Sequence, residues 1–354
     1  MDRVVMAAVD IAGRTVGPGH PCFIIAEAGV NHNGDLALAK RLIEAAAKAG
    51  ADAVKFQTFR GERLVSPTAR KAAYQTAATG AHESQLDMIR RLELPDVAFG
   101  ELKRHCTACG VLFLSTPFDE ESADLLEDLG VAAFKIPSGE VTNLPLLAHV
   151  GRKGKPVILS TGMSTLEEVR AAVDTLRQAG AQDVVVLHCV SSYPADPADA
   201  NLRAMATLAD AFHAPVGYSD HTPGIEVALA AAALGACVIE KHVTLDRTLP
   251  GPDHRASLEP VELAALIRGV RTVESALGDG RKRPVPSEAD TAAVARRSLV
   301  AARDVPAGAT LTEDTLAVLR PGTGLSPALR ARVVGRIAKV HIPAGTPLTW
   351  EMVG

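Results

Sequence analysis

Short apolar runs alternate with longer amphipathic stretches over roughly the first 280 residues. Each run is too short for a buried helix, and several are rich in β-branched residues, so the runs predict strands. There are eight of them, at residues 23–27, 53–57, 111–115, 133–136, 157–160, 184–188, 216–219 and 237–241.

A helical pattern of apolar residues follows each predicted strand. The first of these stretches follows Asp35, a suitable N-cap, and stops at Gly50, a suitable C-cap. The predicted helices cover residues 36–49, 96–109, 119–129, 144–150, 166–179, 199–212, 225–234 and 260–277. Eight strand–helix units predict an α/β protein with a (β/α)8 TIM barrel, and a doubly wound open sheet is the structural alternative.

Two stretches depart from this regular alternation. Residues 3–18 have the pattern of a small hairpin, which we expect to close the floor of the barrel. Residues 59–95 form an unusually long connection between the second strand and its helix, which indicates a functional loop at the catalytic face. Cys106 and Cys109 form a CxxC, but no second pair follows at zinc-site spacing, so we interpret them as helix packing.

The strand–helix pattern stops near Gly278, and a different domain follows. Residues 278–287 have a linker composition, rich in Gly, Pro and charge. A short repeat then appears, with Pro-Ala-Gly after Val305 and again after Ile342, which predicts turns between short strands. We therefore expect a barrel at 1–280, a linker at 281–295 and a small domain at 296–354.

Composition excludes several classes of function. Lys plus Arg number 37 and Asp plus Glu 41, a net charge of −4, which argues against a general nucleic-acid binder. No uncharged apolar run approaches the ~18 residues of a membrane span. The N-terminus does not resemble a signal peptide, and the five Cys are scattered. These features predict a cytoplasmic protein.

Polar side chains stand at the C-terminal ends of the predicted strands, where a barrel builds its active site. Lys55 and Lys135 lie within strands, and burial of an unpaired ammonium is costly. Each lysine therefore needs either an internal ion pair, with Glu27 or Glu140, or an anionic ligand that carries a phosphate and a carboxylate. Ser138 and Ser160 stand close to glycines at the ends of neighbouring strands. Hydroxyl groups in such a setting favour the binding of a phosphate.

Two histidines follow the seventh and eighth strands and should be neighbours. His221 and His242 have carboxylates nearby at Asp220, Glu240 and Asp253, and no Cys nearby that suggests structural zinc. This donor set predicts a divalent ion with open coordination positions, Mn²⁺ or Mg²⁺ rather than zinc.

Taken in order, the strand-end motifs resemble those of the bacterial sialic acid synthase family, and the C-terminal repeat resembles the family's antifreeze-like (SAF) domain. The likeness covers nearly the whole chain. The motifs that carry it are Glu27-Ala-Gly-Val-Asn-His-Asn-Gly34, Lys55-Phe-Gln57, Lys135-Ile-Pro-Ser-Gly-Glu140, Leu159-Ser-Thr-Gly-Met163, His188-Cys-Val-Ser-Ser-Tyr-Pro194, Gly217-Tyr-Ser-Asp-His-Thr222 and the stretch from Glu240 to Asp253.

The resemblance implies condensation of phosphoenolpyruvate with the open-chain aldehyde of a 2-acetamido hexose and water, giving a nine-carbon 3-deoxy-2-keto acid and phosphate. With N-acetylmannosamine the product is N-acetylneuraminate. The alternative acceptor is a 2,4-diacetamido-trideoxyhexose, which gives a legionaminic or pseudaminic acid. Ser191 stands where the family's neuraminate-forming members often carry Asn, so this departure bears on the choice of sugar.

The resemblance also implies roles for individual residues. Glu27 would manage the proton of the water or hydroxyl, and His221 and His242 would hold the metal, Mn²⁺ first, with Mg²⁺ and Co²⁺ as alternatives. Arg320 would reach the site of a neighbouring subunit in a domain-swapped homodimer. The implied phosphoenolpyruvate ligands are Lys55, Thr116, Lys135, Ser138, Ser160 and Ser219; the implied sugar ligands are Gln57, Glu140, Tyr193, Asp253 and Arg320.

Two other classes of function remain open on the sequence. One is a Schiff-base aldolase that uses pyruvate, with Lys135 or Lys55 as the nucleophile. The other is a carbohydrate-binding protein in which the C-terminal domain binds the ligand, and this alternative leaves the strand-end residues without a purpose.

Overall fold

The computed structural model describes residues 8–80 and 82–354. They form two compact units, one that ends at Gly278 and one at Asp279–Gly354. The residues predicted to be a linker, 281–295, therefore belong to the second unit. Each unit is described by itself.

The first unit contains a two-stranded hairpin and an eight-stranded sheet whose paired strands all run parallel. Strands β5 and β6 stand at the two ends of the sheet order and lie side by side, so the sheet curls into a nearly closed barrel. The predicted TIM barrel is confirmed. The strands are β1 Val9–Ile11, β2 Arg14–Val16, β3 Phe23–Gly29, β4 Ala53–Thr58, β5 Leu112–Pro117, β6 Phe134–Ile136, β7 Val157–Ser160, β8 Val184–Cys189, β9 Val216–Asp220 and β10 Val238–His242.

Helices cover the outside of the barrel, and three short ones occupy the long connection at 59–95. None of the described helices is both long and apolar enough to cross a membrane. The helices of this unit are α1 Leu36–Ala49, α2 Gly61–Leu64, α3 Ala73–Thr79, α4 Gln85–Arg91, α5 Asp96–Cys109, α6 Glu120–Asp128, α7 Leu144–Gly151, α8 Leu166–Ala179, α9 Ala204–Phe212, α10 Glu226–Ala233 and α11 Pro260–Leu277.

The interior of the barrel changes from apolar to polar along its axis. Alternate residues of a strand point to opposite faces, so every second side chain points inward. At the N-terminal end of the strands the inward residues are apolar, for example Ile25, Leu114 and Val185, and they form one buried cluster. Further along the strands the inward residues are charged, such as Lys55 and Lys135. This arrangement gives a packed floor beneath a polar site.

The hairpin closes the floor, as predicted. Its side chains Val9, Ile11 and Val16 join the same buried cluster as the lower inward residues of the barrel. Residues 3–7 of the predicted hairpin lie outside the described residues.

The second unit contains strands β11 Ser298–Ala301 and β12 Leu316–Leu319, and helices α12 Ala289–Ala295 and α13 Arg330–Val333. Helix α12 falls within the predicted linker, because its alanine-rich sequence favours a helix despite the linker composition of its surroundings. The two sequence repeats pair with each other: the N–H and the carbonyl of Val305 exchange hydrogen bonds of 2.9 Å with those of Ile342. A core separate from those of the barrel lies between them.

Candidate active site

A cavity of about 510 Å³ opens at the C-terminal ends of the barrel strands. Its size is typical of small-molecule sites. The long connection at 59–95 forms part of its wall, as expected for a functional loop. The predicted site residues that line it are Glu27, Lys55, Gln57, Thr116, Lys135, Ser138, Ser160, Tyr193, Ser219, His221, His242 and Asp253.

Two predicted sugar ligands are not among the lining residues. Glu140 ends a short 3-10 turn after β6, and its carboxylate accepts a hydrogen bond of 2.7 Å from Asn143. Arg320 is exposed and belongs to the second unit. Of the site residues predicted from the sequence, all except Glu140 and Arg320 line this cavity in the described barrel.

The buried lysines are paired with buried carboxylates. Lys55 Nζ lies 2.7 Å from Glu27 Oε2 and 3.7 Å from Glu240 Oε2, and Lys135 Nζ lies 3.6 Å from Glu240 Oε1. Of the partners anticipated from the sequence, Glu27 takes this role and Glu140 does not. Glu240 takes it instead because it points into the barrel from β10, whereas Glu140 lies beyond the end of its strand.

Hydroxyl groups complete the surroundings of the two ammonium groups. Lys55 donates to Thr116 Oγ1 at 3.1 Å, and Lys135 donates to Ser160 Oγ at 2.7 Å. Burial lowers the pKa of Lys135, whereas for Lys55 the effect of burial is outweighed by the neighbouring carboxylates, which raise its pKa. Neighbouring carboxylates therefore stabilise the ammonium form of Lys135 less than that of Lys55, so an anionic ligand would add more to the stability of the charged Lys135.

Glu27 lies in a β-bulge of β3. The register between β3 and β4 shifts between Glu27 and Gly29, and Gly29 has a φ of 51°. A side chain there would be strained, and its Cβ would lie 3.1 Å from Glu27 Oε1. Burial raises the pKa of Glu27 to about 7 against the opposing effect of Lys55. A carboxyl with that pKa exchanges protons readily near neutral pH, as a general acid or base must.

The two imidazoles lie side by side, with ring centroids 5.3 Å apart. Nδ1 of His221 lies 2.8 Å from the carbonyl of Val190, which can only accept, so Nδ1 carries a proton and Nε2 is the acceptor of the neutral ring. Burial opposes protonation of His221, but Cys189, the Val190 carbonyl and Glu240 outweigh it and raise the pKa of this residue. Nδ1 of His242 is buried and has no hydrogen-bond partner. Burial, and then His221, lower the pKa of His242 well below its usual value, which favours the neutral form that binds metals.

These observations fit a divalent metal with two protein ligands. Among residues 8–80 and 82–354, no group of three or more His, Cys, Asp or Glu side chains is arranged to hold a metal ion. His221 and His242 would therefore leave the other coordination positions to substrate and water.

Tyrosine rings extend from the imidazoles toward the long connection. The ring of Tyr193 lies 4.2 Å from that of His221, and Tyr74 of helix α3 stacks on Tyr193 at 5.1 Å. Burial raises the pKa of Asp253, another lining residue, to about 6. Ser191 also lines the cavity, and its Oγ lies only 2.2 Å from where a Cβ would stand on Gly162, so any side chain at position 162 would displace the Ser191 hydroxyl.

Sequence reasoning did not single out some of these residues. Glu240 was noted only as a carboxylate near the histidines, although its inward position on a strand beside β3 was a usable signal. Tyr74 has no such signal, because it lies in the irregular connection. The expectation that no Cys lies near the two histidines is wrong: Cys189 Sγ, at the end of the neighbouring strand β8, lies 3.8 Å from His221 Nδ1.

A barrel with a polar, charged cavity at the C-terminal ends of its strands defines the TIM-barrel class of enzyme. More specifically, the chain belongs to the NeuB family, whose model matches residues 42–282, and the SAF domain model matches residues 296–354. The resemblance to the sialic acid synthases is confirmed.

Named relatives span nearly the whole chain. The N,N'-diacetyllegionaminic acid synthase of Legionella pneumophila is 49% identical and covers 95% of this chain and 96% of its own. The enzyme of the same name from Campylobacter jejuni is 52% identical, with coverage of 89% and 95%. The crystal structure of the N-acetylneuraminic acid synthetase of Leptospira borgpetersenii is 38% identical, has a TM-score of 0.73, and covers 81% of this chain and 95% of its own.

Proposed function

We propose that this protein condenses phosphoenolpyruvate with the open-chain form of a 2,4-diacetamido-trideoxyhexose, giving a legionaminic-type acid and phosphate. N-acetylmannosamine, which would give N-acetylneuraminate, is the alternative acceptor. The observation that carries the proposal is the meeting of Lys55 and Lys135 with His221 and His242 in one cavity.

The choice of acceptor is supported by the relatives. Two proteins named N,N'-diacetyllegionaminic acid synthase are 49% and 52% identical to this chain, and the neuraminate-named structure is 38% identical. Ser191 stands at the position where neuraminate-forming enzymes often carry Asn. This difference also favours the 2,4-diacetamido-trideoxyhexose over N-acetylmannosamine.

Phosphoenolpyruvate suits the lysine end of the cavity. Its phosphate and carboxylate need cationic and hydroxyl partners, and Lys135 has its nearest carboxylate oxygen at 3.6 Å, too far for a strong ion pair. Thr116, Ser138, Ser160 and Ser219 add hydroxyl groups around the lysines. We assign the phosphoenolpyruvate to this end and the sugar to the side of Gln57, Tyr193 and Asp253.

His221 and His242 would hold a divalent ion, Mn²⁺ first and Mg²⁺ or Co²⁺ as alternatives. When bound, the ion would supply Lewis-acid polarisation of the aldehyde of the sugar. The two rings supply nitrogen atoms from adjacent strands, and their fixed spacing orients the acceptor relative to the lysine end.

In the proposed reaction a carbon–carbon bond forms between C3 of phosphoenolpyruvate and C1 of the sugar. The C2–O bond of the enol phosphate breaks, water supplies the oxygen at C2, and the aldehyde oxygen gains a proton. Glu27, with a pKa of about 7, would take the proton of the entering water. Gln57 donates to Glu27 Oε1 at 3.4 Å and helps to orient the carboxylate.

We further propose that the protein acts as a domain-swapped homodimer in which Arg320 completes the partner's site at the N-acyl group of the sugar. Arg320 is exposed in the second unit, as a residue that reaches another subunit must be.

The proposal is tested by incubating the full-length protein with phosphoenolpyruvate, Mn²⁺ and each acceptor, and by measuring phosphate and product mass. We expect phosphate and a nine-carbon keto acid in equal amounts. Lys135→Met serves as the control, because it removes the ammonium but preserves much of the side-chain volume. Absence of phosphate release with both acceptors would refute the proposal.

A Schiff-base aldolase is the second candidate, and one observation favours it: burial lowers the pKa of Lys135, as a nucleophilic lysine requires. Borohydride reduction in the presence of pyruvate tests this reaction. Covalent labelling of Lys135 would support it, whereas activity that is lost with EDTA and never labels the protein would count against it.

A further inference from the structure

One side of the cavity is apolar, although the acceptors are polar sugars. We call this surface the apolar wall, and it consists of Val30, Leu64, Ile89, Leu92 and Phe118, all of which line the cavity. They belong to a small hydrophobic cluster distinct from the two cores of the barrel. Leu64 and Ile89 are half-buried and line the cavity, so part of each side chain is accessible from it.

The wall is held in place from behind. Phe59 packs edge-to-face on Phe118 at 6.0 Å, and Met88 is fully buried in the same cluster. Helix α2 approaches α4 closely because Gly61 has no side chain: a Cβ there would lie 3.1 Å from Arg90 Cγ and 3.3 Å from Leu86 Cδ1. The N–H of Gly61 also donates to Glu93 Oε1, just after α4, at 2.6 Å. The wall is therefore a preformed surface.

The position of the wall relative to the rest of the cavity indicates what it contacts. The lysine end is lined by charged and hydroxyl groups, which suits phosphoenolpyruvate. From His221, the stacked rings of Tyr193 and Tyr74 extend toward the connection at 59–95, from which Leu64 and Ile89 come. A sugar with C1 at the histidines can therefore extend its distal carbons along these rings toward the connection that carries the wall.

We propose that the apolar wall determines acceptor specificity by contacting the substituents at C4 to C6 of the sugar. A C6 methyl and the methyl of a C4 acetamido group lose water favourably against this surface. The hydroxyls at C4 and C6 of N-acetylmannosamine lose hydrogen bonds to water there, and these five apolar side chains offer no replacement. This inference rests on the proposed function and identifies the residues that select between its two acceptors.

An apolar surface discriminates against an added hydroxyl by a limited factor, about a hundredfold. The quantity to measure is the ratio of kcat/KM for the 2,4-diacetamido-trideoxyhexose to that for N-acetylmannosamine. A ratio of this kind is insensitive to the amount of folded protein, because loss of folded enzyme lowers both values equally.

The test compares Leu64→Asn and Ile89→Asn with the wild-type protein. We expect each to reduce the ratio by about tenfold, because the introduced amide offers the acceptor hydroxyls a partner. The KM for phosphoenolpyruvate should stay unchanged, because neither Leu64 nor Ile89 is among the residues that contact the two ammonium groups. Leu64→Met should keep the wild-type ratio, because it preserves apolar character and volume.

Leu125→Asn is the matched control. Leu125 is a half-buried leucine on helix α6 that packs against the barrel core and is not among the residues lining the cavity, so its variant should leave the ratio unchanged. If an Asn variant fails to fold, Ile89→Thr carries the test, since it introduces a hydroxyl with a smaller change of volume.

The outcomes separate the two hypotheses. A wild-type protein that releases no phosphate with either sugar would overturn the proposed function. A wild-type protein that turns over both sugars but prefers N-acetylmannosamine would overturn the role of the wall, and so would wall variants that fold, turn over and keep the wild-type ratio.

Discussion

Lys241→Met should destabilise the barrel strongly, because it leaves a buried charge without its partner. Lys241 Nζ lies 2.6 Å from Asp220 Oδ2, and both side chains are fully buried. The two residues point away from the cavity, next to His221 and His242 along the chain. Asp220 Oδ1 also accepts from the N–H and the hydroxyl of Thr222, at 2.9 and 2.8 Å.

The magnitude follows from what remains after the substitution. Methionine fills much of the lysine volume, so packing changes little, but the Asp220 carboxylate keeps only the two donors of Thr222. Removal of one partner of a buried ion pair costs about 3–5 kcal/mol of unfolding free energy. Replacement of both charges, in Asp220→Leu with Lys241→Met, should recover part of this loss because no isolated charge stays buried.

The assay is urea denaturation followed by far-ultraviolet circular dichroism. This signal follows the helices of the barrel, whereas the one tryptophan, Trp350, lies in the second unit. Lys40→Met is the control: Lys40 and its partner Glu101 are both partly exposed to solvent, so the loss of this pair should cost only about 1 kcal/mol or less. A Lys241→Met protein within about 1 kcal/mol of wild type would refute the reasoning.

Three further predictions follow from the site and its surroundings. His221→Ala and His242→Ala should each weaken Mn²⁺ binding, measured by calorimetry on folded protein; wild-type affinity in both would contradict the metal assignment. Co-expression of Arg320→Ala with His221→Ala should restore about a quarter of wild-type activity if sites are completed by the partner subunit, and none if each chain completes its own. Burial lowers the pKa of His32 to about 4, so the unfolded chain takes up the proton first as the pH falls. Wild-type stability should thus decrease between about pH 6.5 and pH 4 by about 3 kcal/mol more than that of His32→Asn, in urea titrations; equal losses would contradict this prediction.

The helices with clear end signals were predicted to the residue. Helix α1 begins after Asp35, whose side chain accepts from the N–H groups of Ala37 and Leu38, and ends at Gly50, with a φ of 93°. Helix α8 begins after Thr165 in a capping box. Local hydrogen bonds set these ends, so the sequence next to each end is sufficient to predict it.

The helix predicted at 199–212 was wrong at its start. Pro197–Asp199 forms a 3-10 turn, and Asn201 has a φ of 40°, so helix α9 begins only at Ala204. The apolar pattern continues through this break because some of the turn residues are buried as well, for example Ala200. Hydrophobic periodicity reports burial and does not by itself separate a turn from a helix.

The inward-pointing residues of the site were predictable, and the wall was not. Side chains alternate between the two faces of a strand, and the C-terminal ends of parallel strands meet at one end of the barrel. Lys55, Lys135 and His242 therefore lie at that end regardless of the conformation of the connecting segments. Leu64 and Ile89 come from a connection without a regular pattern, and their place in the cavity depends on how three short helices pack together.

The most direct test of the account follows the bridging oxygen of phosphoenolpyruvate. The substrate is labelled with ¹⁸O at the C–O–P bridge and incubated with the protein, Mn²⁺ and the 2,4-diacetamido-trideoxyhexose. The account predicts that the label leaves with the phosphate and that the nine-carbon acid gains an oxygen from water at C2. Label retained in the sugar acid, or phosphate that never appears with this acceptor or with N-acetylmannosamine, would contradict it.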